Sequence, residues 1–295
     1  MPEYPPQIRE RTVAKARILL EALPYMKEHY GKVIVVKYGG AAMAEQALAL
    51  PFVKDIALLR YAGIFPVIVH GGGPQLTEVS SKMGLKTKFI GGLRVTDEET
   101  LAVATMVLAG KINTDIVALL EAGGVPACGM SGVDGGLLIA RKRQGEPDLG
   151  FVGEIVEVRP KVVQDTMYDF VPVIAPIATD DKGQTYNVNA DIVAAELAVG
   201  LGADKLVFIN DVPGLIDDNG ELLSELGEQD CLDLITNGVV DGGMVPKLES
   251  SVRALKEGVR RIHLIDGRVE HSLVLELFTP EGVGSMITPD VGGDA

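Results

Sequence analysis

The chain has 295 residues, 47% of them apolar and 23% charged, which suits a soluble globular protein with two lobes or one large α/β unit. A net charge of −14 excludes nucleic acid and anionic membranes as natural partners. Two cysteines, Cys128 and Cys231, form no CxxC and are too few for a zinc site, so a disulfide-free cytoplasmic protein with no metal site of its own is expected.

Residues 9–29 read as an amphipathic helix, with Val13, Ala16, Leu20 and Leu23 at helical spacing. Arg9, Arg11, Lys15 and Arg17 interrupt any signal-peptide core, and no run approaches the ~20 apolar residues of a membrane span. Val33-Ile-Val-Val36 then predicts a buried parallel strand. It ends in Lys37-Tyr-Gly39-Gly40, a cation beside bare backbone N–H groups, which is what a phosphate needs. A helix is expected around 44–61 and a strand over 65–70. Gly71-Gly72-Gly73-Pro74 follows and leads into a helix to about 83. Three glycines between strand and helix let N–H groups close on an anion. His70 fits a satisfied strand-end histidine better than a catalyst.

Thr96-Asp-Glu-Glu99 has capping-box spacing and opens a helix to about 122. A strand over 125–128 precedes a hairpin with arms 137–141 and 151–156. Strand 171–175, helix 190–200 and strand 205–209 continue the alternation. Asp217-Asp-Asn-Gly220 marks a hairpin turn. Helices near 228–236 and 246–257, a strand over 260–265, a short helix over 271–278 and a strand over 284–288 complete the chain. The alternation predicts an α/β fold, with an open, mostly parallel sheet sandwiched by helices.

No G-x-x-x-x-G-K-[ST], no G-x-G-x-x-G and no protein-kinase signature is present. Two further polar clusters stand out. In Asn187-Val-Asn189-Ala-Asp191, Asn189 suits an N-cap and Asp191 a first helical turn, which leaves Asn187 unexplained. In Asp241-Gly-Gly243-Met244-Val-Pro246-Lys247, Pro246 suits a first turn. Lys247 then lies at the positive end of a helix dipole, a conflict that a bound anion removes.

The ordered set Lys37-Tyr-Gly-Gly, His70-Gly-Gly-Gly-Pro, Gly92-Leu-Arg94-Val-Thr96, Asn187-Val-Asn-Ala-Asp191 and Asp241-Gly-Gly-Met-x-x-Lys247 resembles the amino-acid kinase family. The resemblance covers essentially the whole chain after residue 30. The Gly92-Leu-Arg94-Val-Thr96 segment resembles one branch, whose members move the γ-phosphoryl of ATP onto the side-chain carboxylate of N-acetyl-L-glutamate in arginine biosynthesis.

The resemblance implies ATP with Mg²⁺ as co-substrate and a two-lobed amino-acid kinase fold. Lys37 and Lys247 match its phosphoryl-stabilising lysines, Asp191 the aspartate that orients both, and Gly39 and Gly40 backbone donors at the transferred group. Gly72, Gly73, Arg94, Asn187 and Asn189 match substrate-binding positions, with Arg94 on the α-carboxylate. Asp211, Gly214, Leu215, Ile216, Val239, Val240, Asp241, Gly243 and Met244 match the nucleotide site. His271, Glu281, Gly282 and Gly284 match an arginine-effector segment, although Ser285 stands where Thr is commoner. The amino-terminal helix resembles an arm that interlaces dimers into a hexameric ring. The implied division is an arm over 1–30, a substrate-binding and dimerising lobe over 31–203, and an ATP-binding lobe carrying the effector segment over 204–295. Two alternatives stay open: a family member acting on glutamate or aspartate itself, and a non-catalytic amino-acid sensor. A sensor needs neither lysine nor Asp191.

Overall fold

Alternate residues of the apolar strands face opposite sides of one sheet, and both sides are covered. The computed structural model describes residues 6–40, 43, 45–217, 219–280 and 282–289. Ile34 and Val36 join Ile68, Val207 and Ile209 on one face. Val35 joins Val67, Val69, Leu206 and Phe208 on the other. A period of two along a strand buried on both faces requires such a continuous apolar run. Each fully buried side chain of this kind contributes about 1.5–3 kcal/mol.

The sheet has eight strands in the order Glu225–Leu226, Ser285–Ile287, Arg261–Asp266, Lys205–Asn210, Val33–Tyr38, Phe65–His70, Val171–Ala175 and Ala127–Ser131. All neighbours are parallel except Arg261–Asp266 with Ser285–Ile287. Helices Gln46–Tyr61, Asn113–Ala122 and Ser272–Phe278 pack on one face through Phe52, Ile56, Leu120 and Leu277. Helices Ala190–Leu201 and Met244–Lys256 pack on the other through Leu197, Leu248 and Val252. That second core combines residues from both sides of position 203, so the sheet passes without interruption between the two expected lobes. A smaller sheet, ordered Thr185–Asn187, Ile177–Thr179, Leu138–Lys142 and Gly153–Val158, contains the expected hairpin.

Several local details differ from expectation. The amino-terminal segment is two helices, Pro6–Glu21 and Leu23–His29, with Pro24 in the first turn of the second. Proline fits a first turn better than a helix interior, so it restarts the helix there. Ile18, Leu19 and Leu20 on the first helix are exposed. The cap at 96–99 is Asp97, whose side chain accepts from the Thr100 N–H at 2.8 Å. Thr96 cannot cap, because its hydroxyl donates to the Arg94 carbonyl and accepts from Asn187. The following helix widens into a π turn over Met106–Ile112 before resuming at Asn113. Over Glu98–Ala122 that helix is long and apolar enough to cross a membrane, contrary to expectation. Its Leu101, Val107, Leu108, Ile112 and Ile116 are buried in the protein.

Candidate active site

The polar clusters meet at the carboxyl ends of the parallel strands, where open α/β sheets hold ligands. Lys37 is the penultimate residue of its strand, and Asn210 closes the neighbouring one. Asn189 caps the helix Ala190–Leu201, accepting from the N–H groups of Asp191 (2.7 Å) and Ile192 (3.3 Å). That cap fixes Asp191 in the first turn, beside the positive end of the helix dipole. The Lys37 ammonium lies 3.1 Å from Asp191 Oδ1, and the Lys247 ammonium 3.1 Å from Oδ2. Lys247 Nζ also donates to Asn210 Oδ1 at 2.7 Å and lies 4.7 Å from the centre of the Phe208 ring.

Two cations therefore share one anion. Burial would raise the Asp191 pKa, but Lys37 and Lys247 together hold it down at about 2. Burial pushes Lys247 down to about 8; Asp191 opposes that shift and Lys37 adds to it. With all three groups ionised the cluster carries one net positive charge, which suits an anionic ligand.

Backbone closes in on the same place. Gly40 has φ +62°, and a Cβ there would collide with the Asp211 carboxylate. Gly72 has φ +155°, and a Cβ there would collide with Leu108 and Ile112 of the π segment. A π turn beside a functional loop is a recurrent association. A cavity of about 260 Å³ brings together Lys37, Gly39, Gly40, Gly72, Gly73, Arg94, Asn187, Asn189 and Asp191. Leu76, Phe89, Leu108, Val152 and Pro176 give it apolar walls.

Arg94 is buried, and burial lowers its pKa. It donates to the Gly73 carbonyl (2.9 Å), Thr77 Oγ1 (2.8 Å) and Thr87 Oγ1 (3.1 Å). Among the described residues no carboxylate lies within 4.0 Å of it, and its hydrogen-bond partners are all uncharged. Asn187 Nδ2 donates to Thr96 Oγ1 at 3.2 Å, which turns the side chain toward the same cavity wall. His70 is fully buried, bonded to the Gly71 carbonyl and Asn113, and pushed down to about 4 by burial. It is neutral at pH 7 and structural.

The residues matched to a nucleotide site surround the end of the Lys205–Asn210 strand less uniformly. Asp211 follows Asn210 directly and borders Gly40. Leu215 is turned into the core. Its N–H donates to Ser285 Oγ at 2.8 Å, and its carbonyl accepts from the Leu223 N–H. Leu215 thus has a structural place. Gly214 leads into it with φ +152°, and Ile216 bridges to Leu222. Val239, Val240, Asp241, Gly243 and Met244 form the approach to helix Met244–Lys256, where the Met244 N–H donates to the Asp241 carbonyl. A cleft of about 790 Å³ opens at Gly242, Val245 and Pro246.

The effector positions divide. Gly282 and Gly284 border a cavity of about 440 Å³ with Tyr25, Glu28, His29, Lys205, Arg261 and Glu276. His271 stands apart from it, with Nδ1 2.5 Å from Asp55 Oδ1. Glu281 lies outside the described residues. Sequence reasoning also missed Asn210, Thr77, Thr87 and the π segment. For Asn210 a signal existed: a polar residue ending the apolar run Leu206–Ile209, as Lys37 ends its own.

The sheet, the glycine loops and the paired lysines define a phosphoryl-transfer class of site. The amino acid kinase family model matches residues 32–266, and the chain belongs to that family. It is similar to acetylglutamate kinase from Aquifex aeolicus, 48% identical over 292 residues that cover 94% of this chain and 98% of the relative. It is also similar in structure to N-acetylglutamate synthase from Neisseria gonorrhoeae complexed with coenzyme A and N-acetyl-glutamate. That match has a TM-score of 0.83 and 28% identity, and covers 95% of this chain and 64% of the synthase chain. The same synthase complexed with coenzyme A and L-arginine matches with a TM-score of 0.79 and 26% identity, covering 92% of this chain and 65% of the other.

Proposed function

We propose that the protein transfers the γ-phosphoryl group of ATP to the side-chain carboxylate of N-acetyl-L-glutamate, releasing ADP and N-acetyl-L-glutamyl 5-phosphate. The observation that carries this reading is the pair of ammonium groups, each 3.1 Å from one oxygen of Asp191, beside a cavity that also holds an arginine without a counter-ion. The kinship with acetylglutamate kinases supports the acceptor.

The chemistry asks little beyond positioning and charge. A side-chain carboxylate has a pKa of about 4.3, so the nucleophile is already ionised and no general base is needed. A carboxylate oxygen attacks the γ-phosphorus, the bond to the β–γ bridging oxygen breaks, and ADP leaves with that electron pair. Charge spreads over the transferred group as it moves. Lys37 acts from the acceptor side and Lys247 from the nucleotide side, while Asp191 keeps the two ammonium groups from repelling each other apart. Gly39 and Gly40 offer backbone N–H donors to the moving group, and Gly72 and Gly73 to the acceptor. Arg94 takes the α-carboxylate through its charge and its remaining N–H groups, and Asn187 and Asn189 complete the acceptor wall.

ATP occupies the side formed by Asp211, Gly214, Ile216, Val239, Val240, Asp241, Gly243 and Met244. Among the described residues no group of three His, Cys, Asp or Glu could cage a metal. Mg²⁺ would come with the nucleotide phosphates, where it would neutralise phosphate charge. Residues 31–203 then serve the acceptor and 204–295 the nucleotide, in a cytoplasmic enzyme.

Arginine is read as a feedback inhibitor at the cavity of Gly282 and Gly284. Its carboxylates, Glu28 and Glu276, suit a guanidinium, and its cations, Lys205 and Arg261, suit a carboxylate. The exposed Ile18, Leu19 and Leu20 suit an arm that packs on another subunit of a hexamer.

A hydroxylamine trap for acyl phosphate tests the reaction, with N-acetyl-L-glutamate, L-glutamate and L-aspartate offered in parallel with ATP. Hydroxamate from the first substrate alone is expected. Equal or greater product from either free amino acid would overturn the acceptor.

A further inference from the structure

Arg94 is held without being neutralised. It lies in a hairpin of two residues per strand, Phe89–Ile90 and Leu93–Arg94, closed by Gly91 and Gly92 at φ +54° and +76°. The register sets Phe89 directly opposite Arg94, with the guanidinium carbon 4.7 Å from the ring centre. Three of the five guanidinium N–H donors are used, on the Gly73 carbonyl, Thr77 Oγ1 and Thr87 Oγ1. Two remain for a ligand. Every partner is uncharged.

The direction of one bond is forced. The Thr77 hydroxyl donates to the Gly73 carbonyl at 2.9 Å, one turn back in helix Gly73–Lys82. With its proton committed there, Thr77 Oγ1 can only accept from Arg94. The same Gly73 carbonyl also accepts from Arg94, so arginine, threonine and glycine loop form a closed triangle. A carboxylate in place of Thr77 or Thr87 would cancel the charge that a substrate must meet.

We propose that Thr77, Thr87 and Phe89 are positioning residues that hold Arg94 as an uncancelled cation indexed to the glycine loop, and thereby set the preference for an acceptor bearing a second carboxylate. This rests on the reading of Arg94 as the partner of the substrate's α-carboxylate. None of the three touches the reacting atoms. Their effect belongs in KM for the acceptor, and only for acceptors that have the α-carboxylate.

The test uses the full chain with two acceptors, N-acetyl-L-glutamate and 4-acetamidobutanoate, which keeps the reacting carboxylate and lacks the other. Thr77→Val and Thr87→Val should each raise KM for N-acetyl-L-glutamate about tenfold, the worth of one hydrogen bond to a charged group. Phe89→Leu should raise it by about threefold, as an exposed cation–π contact implies. kcat and KM for ATP should stay within twofold. The shortened acceptor should keep its wild-type KM, or its wild-type Ki against the natural acceptor, in both threonine variants; Phe89→Leu, which also alters the cavity wall, is compared only on the natural acceptor. Thr77→Ser, which keeps the hydroxyl, should restore the wild-type value.

A parallel loss on both acceptors, or a fall in kcat, would assign these residues to general packing and overturn the proposal. So would unchanged KM in the threonine variants while Arg94→Ala raises it, a result that leaves Arg94's own role standing. If Arg94→Ala leaves KM unchanged, the reading of Arg94 fails and the proposal with it.

Discussion

Lys247 and Lys205 sit against opposite ends of the Lys205–Asn210 strand. Both are buried, and burial lowers both pKa values to about 8. Lys247 shares a carboxylate with a second lysine and hydrogen-bonds Asn210. Lys205 faces His263 Nε2 at 3.4 Å, on a ring whose pKa burial lowers and whose other nitrogen meets Glu276 at 2.6 Å. Burial and a shifted pKa are common to both lysines, so neither property marks a phosphoryl site. A cavity adjoins each cluster, so what differs is the arrangement: two cations share one anion at Lys247, whereas Lys205 is one cation beside a histidine that a carboxylate holds. Perturbed titration becomes informative only with that convergence.

The largest effect that separates the two ends is on Asp191. Asp191→Asn leaves two ammonium groups facing each other without their anion and should cost about 3–5 kcal/mol of stability, measured by urea unfolding. The same carboxylate gives a pH signature. Its folded pKa of about 2 lies below its ordinary value, so its contribution is full above about pH 4 and disappears as pH falls toward 2. In Asp191→Asn that part of the acid limb should vanish.

Next in size, Lys37→Ala and Lys247→Ala should each lower kcat by about 10²–10³-fold while the proteins remain folded. A kcat near the wild-type value in either variant would remove that lysine from the reaction.

The smallest effect is the sharpest comparison. Loss of the Lys247 proton should lower kcat as pH rises through about 8. Lys205 titrates in the same range, so the assignment needs Lys205→Met. That variant should keep the alkaline limb and, without arginine, its kcat, while arginine inhibition weakens. Disappearance of the limb would assign it to the wrong end of the strand.

Much of this was legible in the sequence because it is local. The β-branched run before Lys37, the Asn189 cap ahead of Asp191 and Lys247 near a helix start follow from spacing and dipole rules. What was hidden depends on the tertiary fold. Asn210 reaches Lys247 across 37 positions; its place at the polar end of an apolar run was legible, but its partner was not. Thr96 fitted a capping box until Asn187, 91 positions away, took its hydroxyl. The widening at Met106–Ile112 lies in an ordinary apolar helical pattern and shows only where Leu108 and Ile112 close on Gly72. Leu215 looked like part of a ligand loop, yet packing and Ser285 claim it. His271 was grouped with Gly282 because the tail resembles an effector segment, whereas the fold ties it to Asp55.

The account turns on Lys37 and Lys247 working as one unit through Asp191. The most direct measurement is kcat for Lys37→Ala, Lys247→Ala and the double variant under saturating substrates. Coupled groups give non-additive losses. The double variant should lose at least about tenfold less than the product of the two single losses. A loss equal to that product would mean that the two lysines act independently, and would contradict the shared site.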